Sequence, residues 1–358
     1  MGSNLNIRKA VLGLSGGVDS TAAALLLKEN GFSVTAAYLD VFGNNQQGRG
    51  QAEKTARQLG IDIVTSDVSK EFGELIITDF CAEYMRGRTP SPCVICNPLV
   101  KFKALLKIAN DIGARFIATG HYAGVTESEG NYFVKKAKNN KKDQSYMLYR
   151  LDQEALSRLI LPLGEFETKG ETRNFVSEKG IENSALRDSQ EICFIPPDTH
   201  YADFIKEQGY DVFGGEFVDI YGNTIGRHGG IQNFTVGQRK NLGITFGKPV
   251  FVVNIDGETN RVTLGASEDL LKCEVFSKNN WFSGNDSEKI PEKYEGAEVT
   301  AKVRYTSFPA EAVISASDAG IVRSVFKTAQ RAVTPGQSIV FYDGDIVIGG
   351  GVIDKAAP

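Results

Sequence analysis

Apolar residues in the first third of the chain follow two alternating rhythms. Residues 9–14 are a short, mostly apolar run, which predicts a buried strand. Residues 18–29 carry apolar positions at helical spacing, and residues 32–39 return to a strand after Gly31, a C-cap residue. The alternation continues with a helix over 51–59 closed by Gly60, a strand over 61–65, helices over 71–86 and 101–112, and a strand over 115–119. Strands and helices alternating at this spacing predict an α/β fold, a doubly wound parallel sheet with helices on both faces. In such folds the ligand site lies at the C-terminal ends of the strands.

Past residue 150 the pattern turns helical, over 153–159 and 172–179. From Gly214 onward, short alternating runs between Asp-Gly and Gly-rich turns predict strands at 217–220, 250–255, 261–264, 297–303, 312–316, 321–326, 338–342 and 345–348. Runs this short and regular belong to a β domain or barrel. At 358 residues the chain is too long for one ordinary core. The expected division is an α/β domain over 1–204, a small central domain with β-strands over 205–270, and a C-terminal β-barrel over 271–358.

No apolar run approaches the roughly 20 residues of a membrane-spanning helix. The N-terminus lacks the pattern of a secretory signal, so a cytoplasmic location is expected. The formal net charge of −4 excludes a uniformly basic coat but leaves room for a local basic patch. The five cysteines are an odd number, which in a reducing compartment argues for packing or chemistry rather than a disulfide framework. Cys81 and Cys273 have no motif around them and read as packing. Trp281 reads as a core anchor of the β domain.

Ser15-Gly16-Gly17-Val18-Asp19-Ser20 sits where the first strand turns into a helix. Paired glycines let the backbone approach an anion, and the helix N-terminus aims N–H groups and its positive dipole at it. Ser15 and Ser20 add hydroxyl donors, and Asp19 suits a cation, Mg2+, held on the phosphates. The lysine and the spacing of a Walker loop are absent. Residues 243–248 resemble that loop superficially but are one residue short and precede Pro249, so they are discounted.

The loop resembles the pyrophosphate loop of the ATP pyrophosphatases, whose fold is HUP-like. Further along come Thr89-Pro90-Ser91-Pro92-Cys93-Val94-Ile95-Cys96-Asn97 between two helices, with Lys101-Phe102 close behind, then Thr119-Gly120-His121-Tyr122-Ala123 and Lys142-Asp143-Gln144-Ser145-Tyr146. Asp188-Ser189-Gln190-Glu191-Ile192-Cys193-Phe194-Ile195, Gly237-Gln238-Arg239-Lys240, Arg304-Tyr305 and Pro335-Gly336-Gln337 follow. This series, over nearly the whole chain, resembles the tRNA-specific 2-thiouridylases, which thiolate the wobble uridine of lysine, glutamate and glutamine tRNAs. The resemblance implies an ATP-pyrophosphatase domain, a small central domain and a C-terminal β-barrel. It implies that Gly13, Leu14, Ser15, Gly16, Gly17, Val18, Asp19 and Ser20 bind ATP, with Leu39 and Gly120 flanking the nucleotide. Cys96 matches the nucleophilic cysteine, and Cys193 the one that carries incoming sulfur as a persulfide. His121, Lys142, Asp143, Gln144, Arg304, Tyr305 and Gln337 match tRNA contacts, and Ser91, Pro92 and Cys93 the stretch beside the target base.

The residue types suit that chemistry. An oxygen on C2 leaves poorly until adenylation turns it into AMP, after which a sulfur nucleophile attacks. A second thiol then releases the sulfur by exchange and leaves a disulfide. Most relatives carry an aspartate where Cys93 stands. Here Cys93, Cys96 and Cys193 are candidate ligands of a [4Fe-4S] cluster whose open iron would bind hydrosulfide, a route that stands beside the persulfide one. The sulfur donor is accordingly a persulfide carrier, a cysteine desulfurase or hydrosulfide. The basic residues Lys135, Lys136, Lys138, Lys141 and Lys142 read either as a phosphate-tracking patch or as a solvated hairpin tip. Two alternatives remain: an amidating ATP pyrophosphatase, which would not need Cys96 and Cys193, and a tRNA-binding protein without catalysis.

Overall fold

Ala10, Val11 and Leu12 are all buried, so strand β1 (Arg8–Gly13) is covered on both faces. The computed structural model describes residues 8–182, 192–196, 199–244, 247, 249–284 and 286–358. Asp188, Ser189, Gln190 and Glu191 of the quoted motif lie outside the described residues, as do Thr245, Phe246 and Lys248 of the discounted run. After β1 come α1 (Val18–Glu29), β2 (Phe32–Asp40), α2 (Gln46–Leu59) and β3 (Asp62–Asp67). Helices α3 (Ser69–Phe72) and α4 (Thr78–Met85) are joined by a π-helical turn, Gly73–Ile77. Helices α5 (Pro92–Cys96) and α6 (Phe102–Asp111) are joined by another, Asn97–Lys101. The first unit is completed by β4 (Phe116–Ala118), the hairpin β5 (Gly124–Ser128) and β6 (Asn131–Lys135), α7 (Gln153–Arg158), β7 (Leu159–Ile160) and α8 (Lys169–Glu178).

The parallel sheet runs β3-β2-β1-β4-β7. Val11 faces a core with Leu105, Leu106 and Leu156, whereas Leu12 faces one with Ala22, Ala23, Ala56 and Val176. Helices therefore cover both faces, as the alternation predicts. The chain moves outward from β1 to β3 and returns on the other side at β4, so a crevice opens beyond the C-terminal ends of β1 and β4.

The cysteine segment differs from the sequence expectation of a link between two helices: it is helical from Pro92 onward. Pro92 opens α5 with its φ already set, and Pro98, which has no N–H to give, falls in the wider π turn rather than in an α-helical interior.

The central unit begins with α9 (Tyr201–Glu207) and holds a sheet of β8 (Gly215–Val218), β9 (Thr224–His228), β10 (Phe251–Asp256) and β11 (Arg261–Gly265) around Phe217, Phe234, Val252 and Val262. The last unit contains β12 (Leu271–Phe282), β13 (Glu298–Lys302), β14 (Ala310–Ala316), β15 (Val322–Arg331), β16 (Ser338–Asp343) and β17 (Ile346–Ala357). Pairing of β12 with β17 closes these six strands into a barrel filled by Val275, Phe282, Ile314, Ile339, Phe341 and Ile353. The β5–β6 hairpin of the first unit extends the barrel sheet through the β6–β17 pairing. Tyr146 and Tyr149 share one core with Val340, Tyr342 and Val347, and the Tyr146 hydroxyl donates to the Ser338 carbonyl at 2.8 Å. Trp281 packs against this shared core rather than inside the barrel, so it anchors the seam between the units.

Candidate functional site

The loop from Ser15 to Ser20 follows β1 at the crevice. Gly16 has φ 80°, open to glycine, and Gly17 starts α1 with no side-chain cap among the described residues. Ser20 Oγ donates to the Gly17 carbonyl at 3.1 Å and lies 3.3 Å from Ser15 Oγ. A Cβ at Gly120 would come within 2.8 Å of the Asp19 carbonyl carbon and the Ser20 nitrogen, so only glycine lets the end of β4 abut the loop. These are features of a phosphate cradle: glycines, hydroxyls and a helix N-terminus converging at the strand-order reversal. Asp19, expected to hold a cation, is engaged in this state: Lys169 of α8 forms an ion pair with its carboxylate, and the Tyr122 hydroxyl donates to it at 2.8 Å. Sequence reading missed Lys169, because its partner lies 150 positions away.

A second cluster lies beside the first. His121 follows Gly120 directly and stacks on Phe102 with 6.1 Å between ring centroids. Its Nδ1 is 2.8 Å from Thr119 Oγ1. Burial, with the Lys101 ammonium adding to it, holds the His121 imidazole well below its usual range, so it is neutral near pH 7. Lys101 closes the π turn that begins after Cys96. A π turn bonds residue i to i+5, which brings Lys101 back over the face that carries Cys96. Burial pushes the Cys96 thiol up; Lys101 opposes this and Cys93 adds to it. Cys193 is open to solvent on its surface yet crowded from behind. That crowding, with Cys93 and Cys96 nearby, pushes its thiol up to about 11 despite Lys101. The three sulfurs are thus within electrostatic reach of one another. Leu39, at the end of β2, joins Cys96, Ile192 and Phe194 in one hydrophobic cluster, linking the C-terminal end of β2 to the thiols.

All five cysteines are free thiols. Cys81 is fully buried among Phe80, Tyr84 and Phe204, in keeping with a packing role. Among the described residues no three His, Cys, Asp or Glu side chains are placed to hold a metal ion. As they stand, Cys93, Cys96 and Cys193 do not form a ligand set for a cluster.

Three family models match consecutive stretches: the tRNA methyl transferase HUP domain over residues 8–197, the tRNA methyl transferase PRC-barrel domain over 202–266 and the aminomethyltransferase beta-barrel domain over 274–353. A tRNA-specific 2-thiouridylase of Caldanaerobacter subterraneus subsp. tengcongensis is 46% identical, the match covering 97% of this chain and 98% of the relative. One from Clostridium perfringens is 41% identical over 97% and 99%, and one from Clostridioides difficile 41% over 98% and 99%. The chain belongs to the tRNA-specific 2-thiouridylase family. A solved U34-tRNA thiolase, NcsA from Methanococcus maripaludis with its [4Fe-4S] cluster, is 18% identical with a TM-score of 0.36, covering 56% of this chain and 64% of that one. That likeness is too slight to bring a cluster to this member of the 2-thiouridylase family.

The remaining residues matched to the 2-thiouridylases divide into two groups. Ser91 and Cys93 are at least partly open at the start of α5, while Pro92 is buried. Tyr305 sits above them: its hydroxyl is pushed up by burial, by Asp143 and by Cys93. Arg304 lies beside it, with its Nε buried and lacking a hydrogen-bond partner among the described residues. Lys142 is partly exposed. Others are buried or bonded within the protein. The Asp143 carboxylate is buried and accepts from Ala137 N, Ser145 N and Ser145 Oγ. The Gln144 side chain accepts from Tyr122 N at 2.9 Å, and Gln337 Nε2 donates to the Thr89 and Pro90 carbonyls at 3.0 and 3.3 Å. Of the basic stretch, Lys136 donates to the Gly344 carbonyl and lies over the Tyr342 ring, and Lys138 pairs with Glu165.

Proposed function

We propose that the chain is an ATP-dependent tRNA uridine 2-sulfurtransferase. The observation that carries this reading is the contact of the glycine–serine loop with Gly120–His121, which joins a phosphate cradle to Lys101 and the three sulfurs. The matching family bears the words "methyl transferase" in its name, but methyl transfer calls for no phosphate cradle. An amidating ligase would use the cradle and leave Cys96 and Cys193 without a task.

Residues 13–20, with Leu39 and Gly120 at the flanks, would hold ATP and Mg2+ at the loop. The uridine O2 attacks the α-phosphorus, the bond to the β-phosphate breaks, and pyrophosphate leaves. The terminal sulfur of a Cys193 persulfide attacks C2, and AMP departs with the oxygen. The Cys96 thiolate then attacks the Cys193 sulfur, so that the new sulfur stays on the base and a Cys96–Cys193 disulfide remains for a thiol reductant to open. No step is routed through a cluster, because the three cysteines do not gather into a ligand set. Ser91, Cys93, His121, Lys142, Arg304 and Tyr305 face the tRNA, whose acceptors are the lysine, glutamate and glutamine isotypes. A persulfide carrier or cysteine desulfurase supplies sulfur, in the cytoplasm.

The test is AMP release with unmodified tRNA. Cys96→Ser and Cys193→Ser should keep tRNA-dependent AMP release and lose 2-thiouridine. Cys93→Asp, purified without iron, should still thiolate with a persulfide donor. AMP release that ignores tRNA, or loss of thiolation in the iron-free Cys93→Asp protein, would overturn the reading.

A further inference from the structure

The loop of residues 15–20 contains no cation. Its one charged residue, Asp19, is an anion in the first turn of α1, where it repels the phosphates that the helix dipole attracts. Adenylation raises the negative charge at the loop further, because the electrons of the broken α–β bond leave on pyrophosphate. Beside the Mg2+ that comes with ATP, the site calls for a positive group of the protein's own, and the crevice supplies one from elsewhere in the chain.

Lys169 is the first residue of α8, and a capping box between Thr168 and Glu171 fixes the start of that helix. Its ammonium pairs with Asp19 Oδ1, the atom that also accepts from the Tyr122 hydroxyl. The Tyr122 oxygen lies 2.8 Å from the buried Thr172 Oγ1, one turn along α8. The Lys169 side chain is 15% exposed and that of Asp19 36%, so the pair opens to solvent on the Asp19 side, toward the uncapped start of α1. An ammonium this enclosed is held by burial and packing on α8 rather than left to wander, and it meets the site where the loop's own sequence lacks a lysine. We propose that Lys169 is the protein's own cation at the phosphate site, acting beside Mg2+ and delivered by α8, and that it transfers from Asp19 to the leaving pyrophosphate during adenylation. No proton moves: the ammonium stabilises the charge that appears when the α–β bond breaks.

This inference rests on the loop being the ATP site, and the experiment separates the two. AMP formation with tRNA and its inhibition by inorganic pyrophosphate are measured for the full-length protein and its variants. Lys169→Met should lower kcat for AMP formation about 10²-fold and weaken pyrophosphate inhibition, with tRNA affinity unchanged, and Lys169→Arg should restore part of both. Thr172→Val, which removes only the buried hydroxyl, should lower Tm with pyrophosphate inhibition unchanged. If Lys169→Met leaves a lone carboxylate that prevents folding, Asp19→Asn/Lys169→Gln is compared with Asp19→Asn, and the double variant should bind pyrophosphate more weakly. A folded Lys169→Met protein with wild-type kcat and inhibition, or a double variant no weaker than the single one, overturns the role of Lys169. Wild-type protein that forms no AMP and ignores pyrophosphate overturns the loop assignment instead.

Discussion

A methyl group at position 120 has nowhere to go. It would meet the backbone of Asp19 and Ser20 at 2.8 Å, and backbone yields less readily than a side chain. Gly120→Ala should therefore cost about 1–3 kcal/mol and push the start of α1 off its position. Thermal unfolding and tRNA-dependent AMP release check this together, and both should fall. The neighbouring His121 has a pH signature. Its folded pKa is depressed, so burial carries no titration penalty above its ordinary value near 6.5. As pH falls below that, the unfolded chain takes up a proton that the folded one refuses, and stability declines towards the lowered folded pKa. Imidazole NMR should find His121 neutral at pH 6. Lys101→Met removes a repelling charge and should raise the His121 pKa, and an unmoved resonance would sever the link between these residues.

At the scale of elements, all three units hold the approach to the cysteine helix. Gly87 lies against Ile255 of β10 so closely that a Cβ would sit 2.7 Å from its side chain. Arg88 pairs with Asp354 and donates to the Ile353 carbonyl, Thr89 N donates to Pro335 O, and Gln337 ties down Thr89 and Pro90. Gln337→Ala should cost about 1–2 kcal/mol for the two lost bonds. It should slow thiolation more than AMP release, because Cys93 and Cys96 lie downstream of the tether. A rapid-quench comparison of the two products measures the difference. Local pattern made part of this architecture legible: α1 falls on the expected residues 18–29, and the loop before it was recognisable from glycines and hydroxyls alone. Strand β12 was not legible. Ser277 and Asn280 are buried and bond to each other where apolar residues would mark the inner face, and bulges break the register before Ser277 and again between Lys278 and Trp281. The clamp on α5, the entry of β5–β6 into the barrel sheet and the Lys169–Asp19 pair join residues far apart in the chain. Periodicity within a window of ten or twenty residues holds no trace of them.

For the whole molecule, a net charge of −4 sets the terms on which a polyanion is bound. The overall field opposes approach, so affinity must come from a few local cations, and some of the basic side chains are already engaged within the protein. Lys136 has its ammonium against the Gly344 carbonyl and the Tyr342 ring, and Lys138 is paired with Glu165. The Arg304 Nε is buried with no hydrogen-bond partner among the described residues, and its neighbour Tyr305 feels the charge of Cys93. Each cation that neutralises a phosphate releases counterions and adds a little under one unit to the salt dependence of binding. Filter binding of unmodified tRNA across a salt series should therefore give a small slope for a chain of this charge. Arg304→Ala should reduce that slope by roughly one, whereas Lys136→Ala should leave it unchanged because its charge is spent inside the protein. A slope that falls with Lys136→Ala and not with Arg304→Ala would place the tRNA on the hairpin side of the barrel, away from the sulfurs, and the proposed path of the substrate to Cys96 would have to be redrawn.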